Sequence, residues 1–228
     1  MLNKLSAKLK SAENSLGVRL GRDISTPAAR RRAFWHFHLM DHGILRGFWT
    51  NLAEIAPGVW RSNQPSPRRL RKYQKIGINT VLNLRGVNTS SPYLFEKEAA
   101  DTLGMNLVSH RMSARSLVDK TTLLELLDVF ETIDRPFVMH CKSGADRAGL
   151  ASALYLLHIQ GASLEKAKIQ LSFKFLHLRS TQTGILDHVL NAYEIDTKNS
   201  PITIRNWIET RYDGQKLTAE FNAERGKS

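Results

Sequence analysis

The chain has 228 residues, 42% hydrophobic and 8% aromatic, and carries a formal net charge of +12 at neutral pH. This is enough chain for one sizeable core with extensions, and the composition excludes disordered and fibrous classes. Cys141 is the single cysteine, which excludes internal disulfides and a multi-cysteine zinc site and fits a reducing compartment. No apolar run approaches the roughly 18 to 20 residues that span a bilayer, and the N-terminal "MLNKLSAKLKSAENS" lacks an apolar signal-peptide core. The expectation is a cytoplasmic protein, soluble or peripheral at the inner membrane face.

The charge is uneven. Residues 1–72 hold fourteen Lys and Arg against Glu13, Asp23, Asp41 and Glu54, which places +10 of the +12 there. Such a field favours an anionic surface, whether lipid headgroups, nucleic acid or a phosphorylated substrate; a merely solvated face is the plain alternative.

In chain order, Leu2, Leu5 and Leu9 fall at helical spacing, and Gly17 and Gly21 end that segment. Thr26-Pro27 marks a second helix start. The stretch after it, "RRRAFWHFHLMDHGILRGFW", is basic at one end and aromatic throughout. It fits a helix packed on the core, and it also fits a helix in a membrane interface with its arginines on anionic lipid. His36, His38 and His42 lack a carboxylate or cysteine in register, so no metal site is expected. Residues 1–50 are read as this extension, 51–195 as the main domain and 196–228 as a helical tail.

The domain begins with two short strands about Pro57-Gly58, then a helix from Ser66-Pro67 through Lys75. "INTVLNL" reads as a buried strand, Tyr93 to Gly104 as a helix and "MNLVSHRM" as the next strand. "TTLLELLDVFETI" is the clearest amphipathic helix, with Leu123, Leu124, Leu127, Phe130 and Ile133 on one stripe. "PFVMH" is a short strand, "AGLASALYLLHIQG" a helix, and helices over Ser163 to Phe173 and Thr183 to Ile195 complete the domain. The alternation predicts an α/β fold, a central, mostly parallel sheet of about four to five strands flanked by helices, with its ligand at the carboxyl ends of the strands.

Cys141 falls at that place. It follows "PFVMH", and Arg147 opens the next helix, so residues 142–146 form a loop over a helix N-terminus. Backbone N–H groups there make an anion cradle, Gly144 lets the loop close, and Arg147 supplies a bidentate fork to phosphate oxygens. A cysteine in such a field drops from a pKa of about 8.5 into roughly the 3.5 to 7.5 range and becomes a nucleophile toward phosphorus. Cys141 is therefore expected to be presented.

"HCKSGADR", His140 to Arg147, resembles the H-C-x-x-G-x-x-R phosphate loop of the cysteine-dependent protein tyrosine phosphatase superfamily. Residues from about Ile55 to Tyr193 look like its compact dual-specificity branch, particularly bacterial members with an "RSNQPS" element and an "NLRG" strand end. The resemblance implies a cofactor-free, metal-free phosphatase working through a phosphocysteine on protein phosphotyrosine, or else on a lipid phosphate or inositol-type polyphosphate. Carried over by position, Cys141 is the nucleophile, Arg147 the clamp, and Lys142, Ser143, Gly144, Ala145 and Asp146 the backbone cradle. His140 supports the loop, and Arg85 edges the pocket.

Two departures stand out. Ala148 occupies the position where the family places a Ser or Thr hydroxyl that stabilises the departing thiolate. The general acid is also ambiguous: Asp119 lies in the expected loop but would equally cap the next helix. Asp146, placed as in the C-x-x-G-x-D-R loop of myotubularin-type lipid phosphatases, either donates a proton or fixes the loop. An inactive phosphate-binding module is the reading from another class. Nucleic acid is the least favoured partner, since no recognised nucleic-acid module accompanies the charge.

Overall fold

The computed structural model describes residues 21–226, so the predicted helix about Leu2, Leu5 and Leu9 lies outside the described residues. Its centre is a five-stranded sheet in the order β1-β2-β5-β3-β4. The strands are β1 (Ala53–Ala56), β2 (Val59–Asn63), β3 (Thr80–Asn83), β4 (Asn106–Ser109) and β5 (Phe137–Cys141). β1 pairs antiparallel with β2 across the Pro57-Gly58 turn, and the other pairings are parallel. The mostly parallel α/β sheet expected from the alternation is thus the one observed.

Around it stand α1 (Pro27–Trp35), α2 (Pro67–Lys75), α3 (Ser91–Leu103), α4 (Lys120–Thr132), α5 (Arg147–His158), α6 (Leu164–Lys168), α7 (Ile185–Asn199), α8 (Ile204–Thr210) and α9 (Gly214–Gly226). Several starts are set by local chemistry. Thr26, Ser66, Asp119, Ser163 and Thr203 each accept a backbone N–H of the following first turn, satisfying a donor the helix itself leaves unpaired.

Strand alternation divides the core into two layers. Leu82, Phe137, Met139 and Cys141 face a large cluster that also takes Leu123, Leu127 and Phe130 of α4 and nearly the whole length of α5. Val81 and Val138 point the other way, onto Leu70 and Tyr73 of α2 and Ala100 of α3. The large cluster includes Ile204, Trp207, Ile208, Leu217 and Phe221, and α7 runs across residue 195, so residues 196–221 share one core with the sheet.

The extension packs its Ala33 and Phe37 side against Phe95 of α3 while Phe34, Trp35 and Leu39 stay exposed. The predicted helix from Ser163 to Phe173 is shorter than expected. It stops at Lys168, and the chain turns through Phe173–Phe175 so that Phe175 lies 3.8 Å beneath the Arg61 guanidinium.

Candidate active site

Register brings Asn63, Cys141 and Asn83 to the same edge, because Asn63 pairs with Cys141 and Asn83 with His140. The carboxyl ends of three parallel strands therefore converge where the loop from Lys142 to Asp146 meets the N-terminus of α5, as predicted for an open α/β sheet.

The loop is held from below. Arg61, 0% exposed on β2, donates to the carbonyls of Gly144 (2.5 Å) and Ala145 (3.3 Å), and to Gln170 through its carbonyl (2.8 Å) and side chain (2.9 Å). Burial lowers the Arg61 pKa to about 10 against the opposing pull of Cys141 and Asp146, so it stays a cation at neutral pH. A planar peptide whose carbonyl is tied on one side offers its N–H on the other. Among the described residues, the N–H groups of Ser143, Gly144 and Asp146 have no intramolecular acceptor. Gly144 is required here: its φ is +75°, and a Cβ would come within 2.7 Å of Asn63 N and 2.8 Å of Ser62 O.

A cavity of about 860 Å³ opens over the loop. Lys142, Ser143, Asp146 and Arg147 line one wall, and the Arg147 Nε has no partner among the described residues. Cys141 itself is 1% exposed as the last residue of β5, so the thiol expected to be presented lies at the base of the loop, and the residues after it form the wall. His140 is 0% exposed, with Nε2 2.7 Å from Glu96 Oε1 of α3, off the ideal hydrogen-bond direction, and Nδ1 3.3 Å from the Cys141 carbonyl.

Arg85 lines the cavity, but its guanidinium is committed. It donates to both carboxylate oxygens of Asp41 (3.0 and 3.2 Å) and to Gln64 (2.9 Å). Asp41 also holds Arg46 at 2.7 Å and Lys142 at 3.4 Å. Burial pushes the Asp41 carboxyl up, yet Arg85, Arg46 and Lys142 together bring it below its ordinary value, so it remains an anion. The extension is thereby part of the site: His42, Leu45, Arg46 and Trp49 line the cavity, and Asn51 donates to the carbonyls of Ser143 (2.9 Å) and Phe175 (3.0 Å).

The two candidate acids separate. Asp119 does not line this cavity. It caps α4 by accepting from Thr122 N at 2.7 Å, and those hydrogen bonds lower its pKa, the wrong direction for a proton donor. Asp146 is the one carboxylate lining the cavity among the described residues. Its Oδ1 lies 2.8 Å from Nδ1 of His177, whose Nε2 lies 2.6 Å from Asp187, which in turn pairs with Arg179 at 2.8 Å. Burial alone would lower the His177 pKa, but the hydrogen bonds and charges of the two carboxylates outweigh it and raise it to about 9. The imidazolium thus offsets the Asp146 charge beside the unpaired N–H groups of the loop. Leu176, just before His177, has a φ of +62°, a left-handed conformation costing a side-chain-bearing residue on the order of 1 kcal/mol.

Sequence reasoning does not single out Arg61, Asp41 or His177. The available signal is a charged residue inside an otherwise buried strand for Arg61; Asp41 and His177 acquire meaning only through partners distant in the chain.

A sheet with an anion loop at its carboxyl edge, a cysteine at the base of the loop and an arginine opening the next helix defines a cysteine-loop phosphatase class. The profile of the tyrosine phosphatase family matches residues 53–168, half of the chain, and the protein belongs to that family. It is 26% identical over 113 residues to the dual specificity protein phosphatase TpbA of Pseudomonas aeruginosa PAO1, covering 49% of this chain and 48% of that protein. The TpbA of strain UCBPP-PA14 is 27% identical over the same coverage. The chain spans about half the length of the curated relatives it matches. The crystal structure of P. aeruginosa TpbA superposes with a TM-score of 0.50 at 20% identity, covering 76% of this chain and 91% of that one, which shows a shared fold.

Proposed function

We propose that this chain is a phosphomonoester phosphatase that works through a phosphocysteine at Cys141. The observation that carries the reading is the set of unpaired N–H groups at Ser143, Gly144 and Asp146, in a loop that lines a cavity with several cationic side chains and, among the described residues, one carboxylate. The Cys141 thiolate attacks phosphorus, the bond from phosphorus to the ester oxygen breaks, and that oxygen takes a proton. Water then attacks the phosphocysteine, the S–P bond breaks, and phosphate and thiolate are released. Arg147 and the loop N–H groups stabilise the charge on the transferring phosphoryl group. The proton for the leaving oxygen comes from the Asp146–His177 pair, the His177 imidazolium passing its proton through the Asp146 carboxylate, and the pair takes one back from the attacking water. The name of the relative TpbA supports a phosphorylated protein as substrate, with phosphotyrosine first.

A second substrate reading has its own support. Arg111 and Arg115 line the cavity, and their guanidinium groups have no partner among the described residues. The stem of Arg111 lies against Gly86, where a Cβ would come within 2.7 Å of Arg111 Cβ. Two guanidinium groups without partners among the described residues, in the lining of the same cavity, suit a substrate carrying further phosphates, such as a phosphorylated lipid headgroup or an inositol-type polyphosphate.

Turnover of an aryl phosphate tests the main reading. Cys141→Ser abolishes it, Asp146→Asn slows substrates with poor leaving groups and spares good ones, and Asp119→Asn leaves the rate within about twofold. Sustained turnover by Cys141→Ser overturns the nucleophile, and phosphate binding without turnover in the unaltered protein supports the inactive binding module instead.

A further inference from the structure

A second cavity, of about 640 Å³, lies between the extension and α2. Arg46, Arg68, Arg69 and Lys72 line it and, among the described residues, no carboxylate does. Among its buried residues, Arg46, which is 3% exposed, keeps Nε and Nη2 without a partner, and Gln64, which is 1% exposed, keeps Nε2. Protein interiors pair nearly all such groups, so charged and amide donors of this kind at one cationic cavity ask for an acceptor from outside the chain. Arg69 is already spent on Asn63, the Gln64 carbonyl and the Arg46 carbonyl. Arg68 and Lys72 are exposed and form no ion pair among the described residues.

The surroundings of the cavity are apolar. Ile44 and Ile76 on its wall are 47% and 58% exposed, and the same extension leaves Phe34, Trp35, Leu39 and Phe48 uncovered, the last at 84%. Arg71 and Lys75 add charge on α2. A free phosphate would satisfy the donors and leave these side chains in water. A bilayer interface supplies both the anion and the apolar layer.

We propose that this cavity is a non-catalytic site for the phosphate of an anionic membrane lipid, seating the exposed apolar side chains in the interface. The site shares Arg46 with the Cys141 cavity but none of the loop residues 142–147, and the inference stands whether or not the phosphatase reading does.

The full chain is sedimented with vesicles of phosphatidylcholine alone and of phosphatidylcholine mixed with phosphatidic acid. Binding is expected to the mixed vesicles and to weaken with salt. Arg68→Ala with Lys72→Ala should weaken it about tenfold or more. Ile44→Asn with Ile76→Asn should weaken it without changing charge, and both pairs should keep aryl-phosphate turnover, since none of the four residues lines the catalytic cavity. Residues 1–20 with their lysines are present in every arm, so their attraction cancels. Equal binding by the Arg68/Lys72 variant, equal binding to neutral vesicles, or binding of inorganic phosphate with no vesicle association would each overturn the proposal.

Discussion

The most quantitative consequence of the site concerns His177. Its pKa in the fold is about 9, against about 6.5 for an unperturbed imidazole. A raised folded-state pKa gives a contribution that is complete below about pH 6.5, where folded and unfolded chains both bind the proton, and that disappears as pH rises through about 9. A difference of about 2.5 pKa units corresponds to about 3 kcal/mol. The group is 2% exposed and lies between two carboxylates, so solvent screening removes little of this.

The measurement is urea unfolding, followed by tryptophan fluorescence, of the unaltered protein and of His177→Gln between about pH 6 and pH 9.5. Lysines and tyrosines that titrate at the upper end do so in both proteins and cancel in the difference. The stability gap should shrink by about 3 kcal/mol from the acid to the alkaline end. Asp187→Asn, which removes one of the two anionic partners, should flatten much of the same slope. A gap that stays constant to within about 0.5 kcal/mol over that interval would mean that His177 does not hold a proton between Asp146 and Asp187.

Three further outcomes rest on the geometry. Asp41→Ala leaves the buried Arg46 unpaired and should cost about 3 to 5 kcal/mol in urea unfolding, with Arg46→Met on top recovering part of it. Gly144→Ala places a methyl against the Ser62-Asn63 backbone at a positive φ; aryl-phosphate turnover should fall at least about a hundredfold and the melting temperature should drop. Ala148→Ser supplies a hydroxyl at the start of α5 and should speed phosphocysteine hydrolysis by about ten- to a hundredfold, seen as a steady-state rate that catches up with the initial burst. An unchanged steady-state rate would show that hydrolysis does not wait on this hydroxyl.

The parts of the site readable in the sequence are those written locally. "PFVMH", the glycine-containing loop and the small-residue helix after Arg147 are contiguous, and their periods and turn residues indicate where a cysteine at the strand end must lie. The capping role of Asp119 is visible for the same reason, since an N-cap needs only the next three residues. Electrostatic partners are not local. Asp146 reaches His177 31 positions on, Asp41 reaches Arg85 44 positions on, and Arg61 holds carbonyls more than 80 positions away. These pairings are decided by tertiary packing. The helix read over Ser163 to Phe173 stops at Lys168 for the same reason, since the turn that replaces its end seats Phe175 under Arg61, a partner distant in the chain.

The extension shows how this non-locality bears on experiment. Removing residues 1–50 is the natural way to ask whether the basic, aromatic segment binds membrane, but that deletion also removes Asp41 from Arg85 and Lys142, and Arg46 and Trp49 from the cavity wall. It strips the cover from Asn63 as well, whose side chain donates to the Trp49 carbonyl and whose backbone adjoins Gly144. A truncated chain that fails to bind vesicles has therefore lost part of the support of the Cys141 loop at the same time. Point substitutions at Arg68, Lys72, Ile44 and Ile76 leave Asp41 and Asn51 in place, so a loss of vesicle binding with turnover retained separates the surface role of the extension from its structural one. Loss of turnover alone in Asp41→Asn would identify the buried carboxylate, and not the exposed aromatics, as what the Cys141 loop requires from this segment.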